Sequence, residues 1–267
     1  MATSHTLQAK ALHAGYDQKR ILNDVHLAIP ANKISIIIGA NGCGKSTLLK
    51  TMARLIKPES GEVVLNGKSI HHMPPKQLAR ILGLLPQSPI VPEGITVADL
   101  VGRGRFPHQS LFGSWTKKDY EAVEQALEMM NITEFADRNI DELSGGQRQR
   151  VWIAMALAQQ TDILFLDEPT TYLDITYQVE ILDLLTELNQ KYGTTIVMVL
   201  HDINLSARYA DYLFTMKQGH LIAEGAPTDI LTSDLIKETF DLDCVVIEDP
   251  ISSTPLIVPI GRYHTEK

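Results

Sequence analysis

The residue types best suited to chemistry stand together in one glycine-rich stretch. Its spacing is G-x-x-x-x-G-K-[ST], in which backbone N–H groups can approach phosphate oxygens closely. Lys45 can reach the terminal phosphates as a positive charge, and the Ser46 hydroxyl can help to hold Mg²⁺. The alternative is a glycine-rich turn between a strand and a helix, but the complete motif and its flanks favour a nucleoside triphosphate site. The predicted phosphate-binding residues are Gly39, Ala40, Asn41, Gly42, Cys43, Gly44, Lys45, Ser46 and Thr47.

Two adjacent carboxylates could complete a hydrolytic site. Asp167 and Glu168 directly follow the apolar run Ile163–Leu166, which is typical of a parallel strand buried on both faces. We expect Asp167 to hold Mg²⁺ together with Ser46, and Glu168 to act as the base that orients or deprotonates the attacking water. The alternative is an acidic pair that only caps the end of a strand.

Three further residues are candidates with weaker signals. Gln87 could contact the metal or the attacking water, although a glutamine after a proline says little by itself. His201 follows the apolar run Thr195–Leu200 and could be a core histidine, but its position at a strand end favours a contact to the γ-phosphate. Tyr16 could stack on an adenine ring or could simply be an aromatic residue at a strand end.

The elements that must position these residues indicate an α/β fold. Buried strands alternate with amphipathic helices, which predicts a mainly parallel sheet with ligands at the carboxyl ends of its strands. Apolar and polar residues alternate over Leu7–Ala14 and Val25–Ile29, so we expect a small antiparallel sheet at the N-terminus. A helix-rich stretch over about 90–160 predicts a helical subdomain inserted into this core. The segment Thr228–Phe240 also has a helical pattern.

Composition limits the classes of protein that are possible. The chain has 267 residues and a formal net charge of −8, which disfavours a nucleic-acid partner. Its two cysteines cannot form a disulfide framework, and this usage suits a reducing compartment. No apolar run in the sequence approaches the roughly 20 residues that span a bilayer, and the polar N-terminus lacks the apolar core of a signal peptide. We therefore expect a cytosolic protein that meets a membrane only through a partner.

Together these motifs resemble the ATP-binding subunits of ABC transporters. The most specific element is Leu143-Ser144-Gly145-Gly146-Gln147, and the resemblance covers the chain from about Leu7 to about Phe240. It implies a P-loop ATPase of ABC type that uses ATP and Mg²⁺ as a homodimer. Ser144, Gly145, Gly146 and Gln147 of one copy would contact the γ-phosphate held by Lys45 of the other. Tyr16 would then stack on adenine, and Asp174 would belong to the ATP site.

Two segments are similar to the ATPases of iron–siderophore importers, a group that also serves haem and cobalamin. They are Gly102–His108 and Glu168–Ile175, the latter containing Thr171-Tyr172-Leu173-Asp174. The first would meet the coupling helices of a membrane permease. Its alternative interpretation is a basic, glycine-loosened loop with no specific partner. The resemblance thus implies an ATPase at the cytoplasmic face of the membrane, working with a permease and, indirectly, with an extracellular or periplasmic solute-binding protein.

The sequence also separates this hypothesis from others. Ala40 replaces a proline common in importer ATPases, which changes little because this position contributes mainly backbone. The chain is too short after Phe240 for the regulatory domain of sugar importers, so we expect one ABC ATPase domain over 1–267 with a short extension at about 241–267. A soluble ABC ATPase that acts on DNA or ribosomes is disfavoured, because such relatives carry long insertions or two ATPase units and this sequence has neither. A scaffold that only binds nucleotide is disfavoured because Glu168 and His201 are both present. Cobalamin, haem or another metal chelate remains the alternative substrate.

Overall fold

The computed structural model describes residues 3–17, 19–87, 94–110, 114–171 and 173–263. They form two compact units. The first unit is built around His72–Ile196, and the second combines His5–His71 with the chain from Val197 onward. Within the described residues, no helix has the length and apolar composition needed to cross a membrane.

The secondary structure alternates between strands and helices, as the sequence predicts. The strands are β1 (Leu7–Tyr16), β2 (Lys19–Ile29), β3 (Ile34–Gly39), β4 (Ser60–Leu65), β5 (Lys68–Ser69), β6 (Leu82–Leu85), β7 (Ile163–Asp167), β8 (Thr195–Val199), β9 (Tyr212–Lys217), β10 (His220–Gly225), β11 (Cys244–Glu248) and β12 (Pro255–Pro259). The helices are α1 (Lys45–Met52), α2 (Pro75–Ala79), α3 (Val97–Gly102), α4 (Lys117–Met129), α5 (Gly145–Ala158), α6 (Ile175–Tyr192), α7 (Ile203–Tyr209), α8 (Pro227–Ile230) and α9 (Ser233–Phe240).

The second unit contains the predicted antiparallel sheet and part of the parallel one. β1 lies between β2 and β4 and pairs with both in antiparallel orientation. β3 pairs in parallel with β9, and β9 continues antiparallel into β10. All six residues of β3 are buried, as expected for a strand covered on both faces. This buried strand ends at Gly39, so the phosphate-loop motif begins at the carboxyl end of β3.

The first unit combines a parallel strand pair with a group of helices. β6 pairs in parallel with β7, and all five residues of β7 are buried. α3, α4 and α5 pack against one another through apolar faces that include Leu100, Val123, Leu127 and Ile153. α4 begins with a capping box, in which Thr116 and Asp119 satisfy each other's backbone N–H groups. The helices and the parallel pair together give the predicted α/β class with a helical insert.

One expectation from the sequence was wrong in detail. Thr228–Phe240 is not one helix, because the chain leaves helical geometry at Leu231 and Thr232 between α8 and α9. The Thr232 hydroxyl accepts a hydrogen bond from the Leu235 N–H and so starts a new helix. The short extension predicted at about 241–267 contains a hairpin, in which β11 and β12 pair in antiparallel orientation.

The basic segment Gly102–His108 is not a loosened loop. Gly102 ends α3, and the next six residues form a 3₁₀-helix. Gly104 is required there because a Cβ atom would lie 2.1 Å from the Met155 carbonyl oxygen of α5. The glycine therefore permits close packing of two backbones, which is the opposite of loosening the chain.

Arg105 in this segment forms a buried ion pair. Its Nε donates to Asp119 Oδ1 at 2.9 Å, and the two side chains are only 5% and 7% exposed. The guanidinium also donates to the Ala158 carbonyl at 2.7 Å, so the pair ties the segment to α4 and α5. Hydrogen bonds from Thr116, assisted by Arg105, lower the pKa of Asp119 from 3.8 to about 2.

Replacing Asp119 with asparagine should lower the free energy of unfolding by about 3 kcal/mol at neutral pH, because it leaves the Arg105 charge buried without its counterion. Urea unfolding followed by tryptophan fluorescence measures this in the first unit, since both tryptophans, Trp115 and Trp152, belong to it. Glu121→Gln is the matched control because Glu121 pairs with Lys117 on the exposed face of the same helix. It should cost about 0.5 kcal/mol or less.

The pH dependence of this contribution follows from the lowered pKa. Because the folded pKa of Asp119 lies below the unfolded one, its contribution is complete above about pH 4 and is lost as the pH falls towards about 2. The stability difference between the wild type and Asp119→Asn should therefore narrow in that window. A difference that stayed constant from neutral pH down to pH ~2 would contradict the assigned ion pair.

Candidate functional site

The phosphate loop joins β3 to α1 within the second unit. Gly39 lies directly against β9, since a Cβ there would stand 2.3 Å from the Met216 carbonyl oxygen. Gly44, with φ +109°, is the N-cap of α1. The first turn of α1 carries no acidic side chain, so the positive end of its dipole is available to an external anion. The predicted strand, loop and helix are thus all present.

Lys45 turns back over this loop. Its ammonium group donates to the Gly39 carbonyl at 2.8 Å and to the Ala40 carbonyl at 3.1 Å. The residue is only 5% exposed, and a buried ammonium must be matched by hydrogen-bond acceptors or an anion. The loop therefore holds a positive charge in a fixed place, where phosphate oxygens could replace the two carbonyls.

Cys43 connects the phosphate loop to the turn between β9 and β10. The residue is buried, and its carbonyl accepts a hydrogen bond at 2.8 Å from the Gly219 N–H, in the turn between β9 and β10. Burial raises the pKa of the Cys43 thiol, although the nearby Lys45 charge acts in the opposite direction. The thiol consequently stays protonated at neutral pH and adds no negative charge beside a phosphate-binding site.

The structure brings His201 to the phosphate loop. An open pocket of the second unit is lined by Gly39, Ala40, Asn41, His201 and Phe240. His201 is exposed and immediately precedes Asp202, the N-cap of α7. This position is compatible with the predicted γ-phosphate contact and excludes the alternative that His201 is a core residue.

Tyr16 lies at the exposed end of β1. Its side chain is 48% exposed, and its strand pairs with β2, whose Ile21 and Leu22 would contact a Cβ at Gly44. The antiparallel sheet thus stands beside the phosphate loop and presents an aromatic ring to solvent. Adenine stacking by Tyr16 stays a prediction.

The two carboxylates of the first unit stand where β7 ends. Asp167 is the last residue of the strand and is 1% exposed. Glu168 has a φ of +55°, a left-handed conformation that is unfavourable for a residue with a side chain. Strain of this kind is typical of functional sites. Here it turns the chain immediately after the strand, where Asp167 is buried and Glu168 is partly exposed.

Gln87 and Thr171 fix the carboxylate of Glu168. The Gln87 side-chain amide donates to Glu168 Oε2 at 2.5 Å, and the Thr171 hydroxyl donates to the same oxygen at 3.1 Å. Gln87 therefore orients the predicted base, a contact beyond the metal or water contacts expected from the sequence. Sequence reasoning missed Thr171. Its spacing of three residues from Glu168 is a signal that could have found it.

The Ser144–Gln147 segment starts α5, with Ser144 as the N-cap. Its two glycines differ in exposure. The Gln147 N–H donates to Ser144 Oγ at 3.3 Å, and the Ser144 N–H donates to the Gln147 side chain at 3.0 Å. Gly146 is buried against the Tyr177 ring, where a Cβ would come within 3.2 Å, whereas Gly145 is exposed with open space beside it. This capping box holds an exposed helix N-terminus ready for an anion.

Asp174 has a structural role that the sequence interpretation did not include. Its carboxylate accepts the Tyr177 N–H at 3.1 Å and so caps α6. Its assignment to the ATP site stays a prediction. Tyr172 of the same segment lies outside the described residues.

The donors present suit the expected ligands. Ser46, Asp167 and Gln87 offer hydroxyl, carboxylate and amide oxygens, and Mg²⁺ prefers hard oxygen ligands. The buried Lys45 ammonium and the uncompensated N-terminus of α1 suit the phosphates of a nucleotide. The predicted site residues are divided between the two units. Tyr16, 39–47 and His201 belong to the second unit, and Gln87, 144–147, Asp167, Glu168 and Asp174 belong to the first.

Comparisons with known proteins identify the family of this chain. A family model described as ABC transporter matches residues 22–171. The achromobactin transport ATP-binding protein of Dickeya dadantii (strain 3937) is 50% identical over 98% of this chain and 97% of its own. The ferric enterobactin transport ATP-binding protein of Escherichia coli (strain K12) is 49% identical over 96% of this chain and 94% of its own.

A solved structure with the same fold is the dimeric bacterial ABC transporter cassette MJ0796. It is 29% identical, with a TM-score of 0.73 over 82% of this chain and 98% of the cassette. The match therefore extends over most of the described fold, including both units.

Replacing Lys45 with alanine should weaken ATP binding by about 100-fold or more, because charge-assisted contacts to phosphate contribute about 1.5–3 kcal/mol each. Calorimetric titration of the full chain with ATP measures the loss. Lys50→Ala is the control, since it removes a lysine from the same helix outside the motif. Unchanged affinity of Lys45→Ala, or an equal loss in both variants, would contradict the phosphate role of Lys45.

Proposed function

The chain belongs to the ABC transporter family of ATP-binding proteins, and from this we propose that it is the ATP-hydrolysing subunit of an importer for iron(III)–siderophore complexes. The observation that carries the proposal is about 50% identity, over nearly the whole length of both chains, to two proteins named for siderophore transport. The segments Gly102–His108 and Glu168–Ile175 support the same subgroup. Cobalamin, haem or another metal chelate is the alternative cargo.

The chemistry that we propose divides the work among named side chains. The phosphate-loop backbone, Lys45 and α1 bind the phosphates, and Tyr16 stacks on the adenine ring. Glu168, held by Gln87 and Thr171, orients the attacking water and accepts its proton. His201 contacts the γ-phosphate. Mg²⁺, held by Ser46, Asp167 and Gln87, would neutralise charge on the phosphates.

We propose that hydrolysis requires two copies of the chain. The exposed N-terminus of α5, with Ser144 and Gly145 at the surface, would bind the γ-phosphate held by Lys45 of the second copy. The supporting observation is the dimeric assembly of a relative whose fold matches with a TM-score of 0.73. Such an arrangement would couple ATP binding to the closure of two subunits at the cytoplasmic face of a membrane.

The surface proposed to meet the membrane permease is an aromatic groove in the first unit. It is lined by Asp99, Gly102, Arg103, Phe106, Gln109 and Trp115. Trp115 lies across Gly102, where a Cβ would come within 2.5 Å of the indole ring. Phe106 is 66% exposed, and the Lys76 ammonium lies 5.2 Å from its ring centroid. Exposed aromatic residues around a groove are typical of protein interfaces, and a short helix of the permease is the occupant that we propose.

Replacing Glu168 with glutamine should preserve ATP binding and reduce turnover by about 10²–10⁴-fold, the usual contribution of a general base. ATPase assays and ATP titrations of the purified chain measure the two effects. Normal turnover in this variant would refute the role of Glu168.

The same variant tests the cargo. In cells whose only copy carries Glu168→Gln, uptake of radio-iron siderophores should be lost while other solutes enter normally. Unchanged iron uptake beside an inactive ATPase would exclude the siderophore cargo and leave the ATPase assignment intact, and haem and cobalamin uptake would then be measured.

Replacing Phe106 with aspartate should abolish uptake without lowering the ATPase activity of the isolated chain, because it places a charge in the proposed permease groove. Leu55→Asp is a matched control, since Leu55 is an apolar residue of the second unit with almost the same exposure, 65%. Equal loss of uptake in both variants, or normal uptake in Phe106→Asp, would contradict the assigned surface.

A further inference from the structure

The C-terminal hairpin, defined here as β11, β12 and the turn between them, is joined to the helix that follows His201. α7 has only seven residues, and its N-cap, Asp202, is the neighbour of His201 in the chain. A helix of two turns has little stability of its own, so its neighbours decide where it lies. α7 packs against β3 on one side and β12 on another. β3 leads to the phosphate loop, whereas β12 belongs to the C-terminal hairpin.

Asn204 forms a two-point contact with β12. Its side-chain amide donates to the Ile257 carbonyl at 3.2 Å, and its carbonyl oxygen accepts the Ile257 N–H at 2.8 Å. The amide therefore satisfies both backbone groups of a residue that is itself buried. A two-point contact fixes the orientation of the helix as well as its distance from the strand.

Arg208 makes the second connection, one helical turn further on. Its guanidinium donates twice to Asp249 Oδ2, at 3.2 and 2.5 Å. The other carboxylate oxygen of Asp249 accepts the Ile251 and Ser252 N–H groups and so shapes the turn of the hairpin. The Arg208 pair lowers the pKa of Asp249 to about 2, so the carboxylate is charged at every physiological pH.

These contacts have no evident purpose in nucleotide binding itself, since none of their residues belongs to the phosphate loop or lines its pocket. They do determine the position of α7, and the residue immediately before its N-cap is His201. We propose that the C-terminal hairpin positions His201 for the γ-phosphate through Asn204 and, secondarily, Arg208. This inference rests on the proposed ATPase function and assigns a role to the extension that follows α9.

Asn204→Ala in the full chain tests the proposal. We expect kcat for ATP hydrolysis to fall about tenfold, since small displacements of a positioned group cost rate. KM for ATP should change by no more than about twofold, because Lys45 and the loop are untouched. The ¹H–¹³C NMR signal of the His201 imidazole, assigned with His201→Ala, should shift in the same variant. Arg208→Met, which keeps Asn204, should lower kcat in the same direction by a smaller factor.

Asn189→Ala is the matched control for a purely structural effect. The Asn189 amide donates at 2.8 Å to the Thr194 carbonyl, just before β8 begins. This variant therefore loses a comparable hydrogen bond at the end of β8 opposite to the end that leads to His201. It should leave kcat and the His201 signal unchanged. Equal losses of kcat in Asn204→Ala and Asn189→Ala would overturn the positioning role.

His201→Ala separates failure of this inference from failure of the proposed function. If His201→Ala is inactive while Asn204→Ala turns over normally, the hairpin has no positioning role and the ATPase assignment stands. If His201→Ala itself hydrolyses ATP at the normal rate, His201 has no catalytic role and the proposal falls with it. A fall in kcat with constant KM and a shifted His201 signal in Asn204→Ala would support it.

Discussion

The contact on which the candidate site depends is the one between the Lys45 ammonium and the carbonyls of Gly39 and Ala40. An ammonium that is almost fully buried is unfavourable unless acceptors surround it. The two carbonyls provide that compensation within the loop itself. A phosphate group would offer stronger, charged acceptors in their place. The loop can therefore be formed in advance and still favour the exchange of its own carbonyls for a ligand.

The rest of the second unit can be understood as support for this arrangement. Gly39 lies so close to the Met216 carbonyl that any side chain there would push β3 and β9 apart. The turn at Gly219 holds the loop through the Cys43 carbonyl, and Ile21 and Leu22 of β2 pack beneath Gly44. The antiparallel sheet and the parallel strands thus contact the same nine-residue motif. Substitutions behind the loop should consequently affect its shape as strongly as substitutions within it.

In the first unit, the important contacts are those that hold the carboxylates of Asp167 and Glu168 at the end of β7. β7 is buried along its whole length, so both acidic residues can only stand at its end. The backbone at Glu168 is left-handed, and Gln87 and Thr171 hold one oxygen of its carboxylate. A base held by two donors loses little freedom when a substrate binds. The strain at Glu168 is offset by these contacts.

Features encoded by neighbouring residues could be predicted from the sequence. The phosphate loop, the capping boxes at Thr116 and Ser144, and the buried strands β3 and β7 each depend on residues a few positions apart. Contacts between distant residues could not be predicted. Asn204 meets Ile257 across 53 positions, and Gln87 meets Glu168 across 81, and nothing local distinguishes these amides from others on a surface.

The segment Gly102–His108 illustrates the same limit within a few residues. Its arginines and glycines are typical of a loose basic loop, yet Arg105 is buried against Asp119 and Gly104 packs on the Met155 carbonyl. In a 3₁₀-helix, successive residues point about 120° apart, so an inward Arg105 turns Phe106 outward. The buried ion pair of Arg105 holds the backbone next to Phe106. The Lys76 ammonium lies 5.2 Å from the centroid of the Phe106 ring. A surface held in this way can meet a partner with little loss of side-chain entropy.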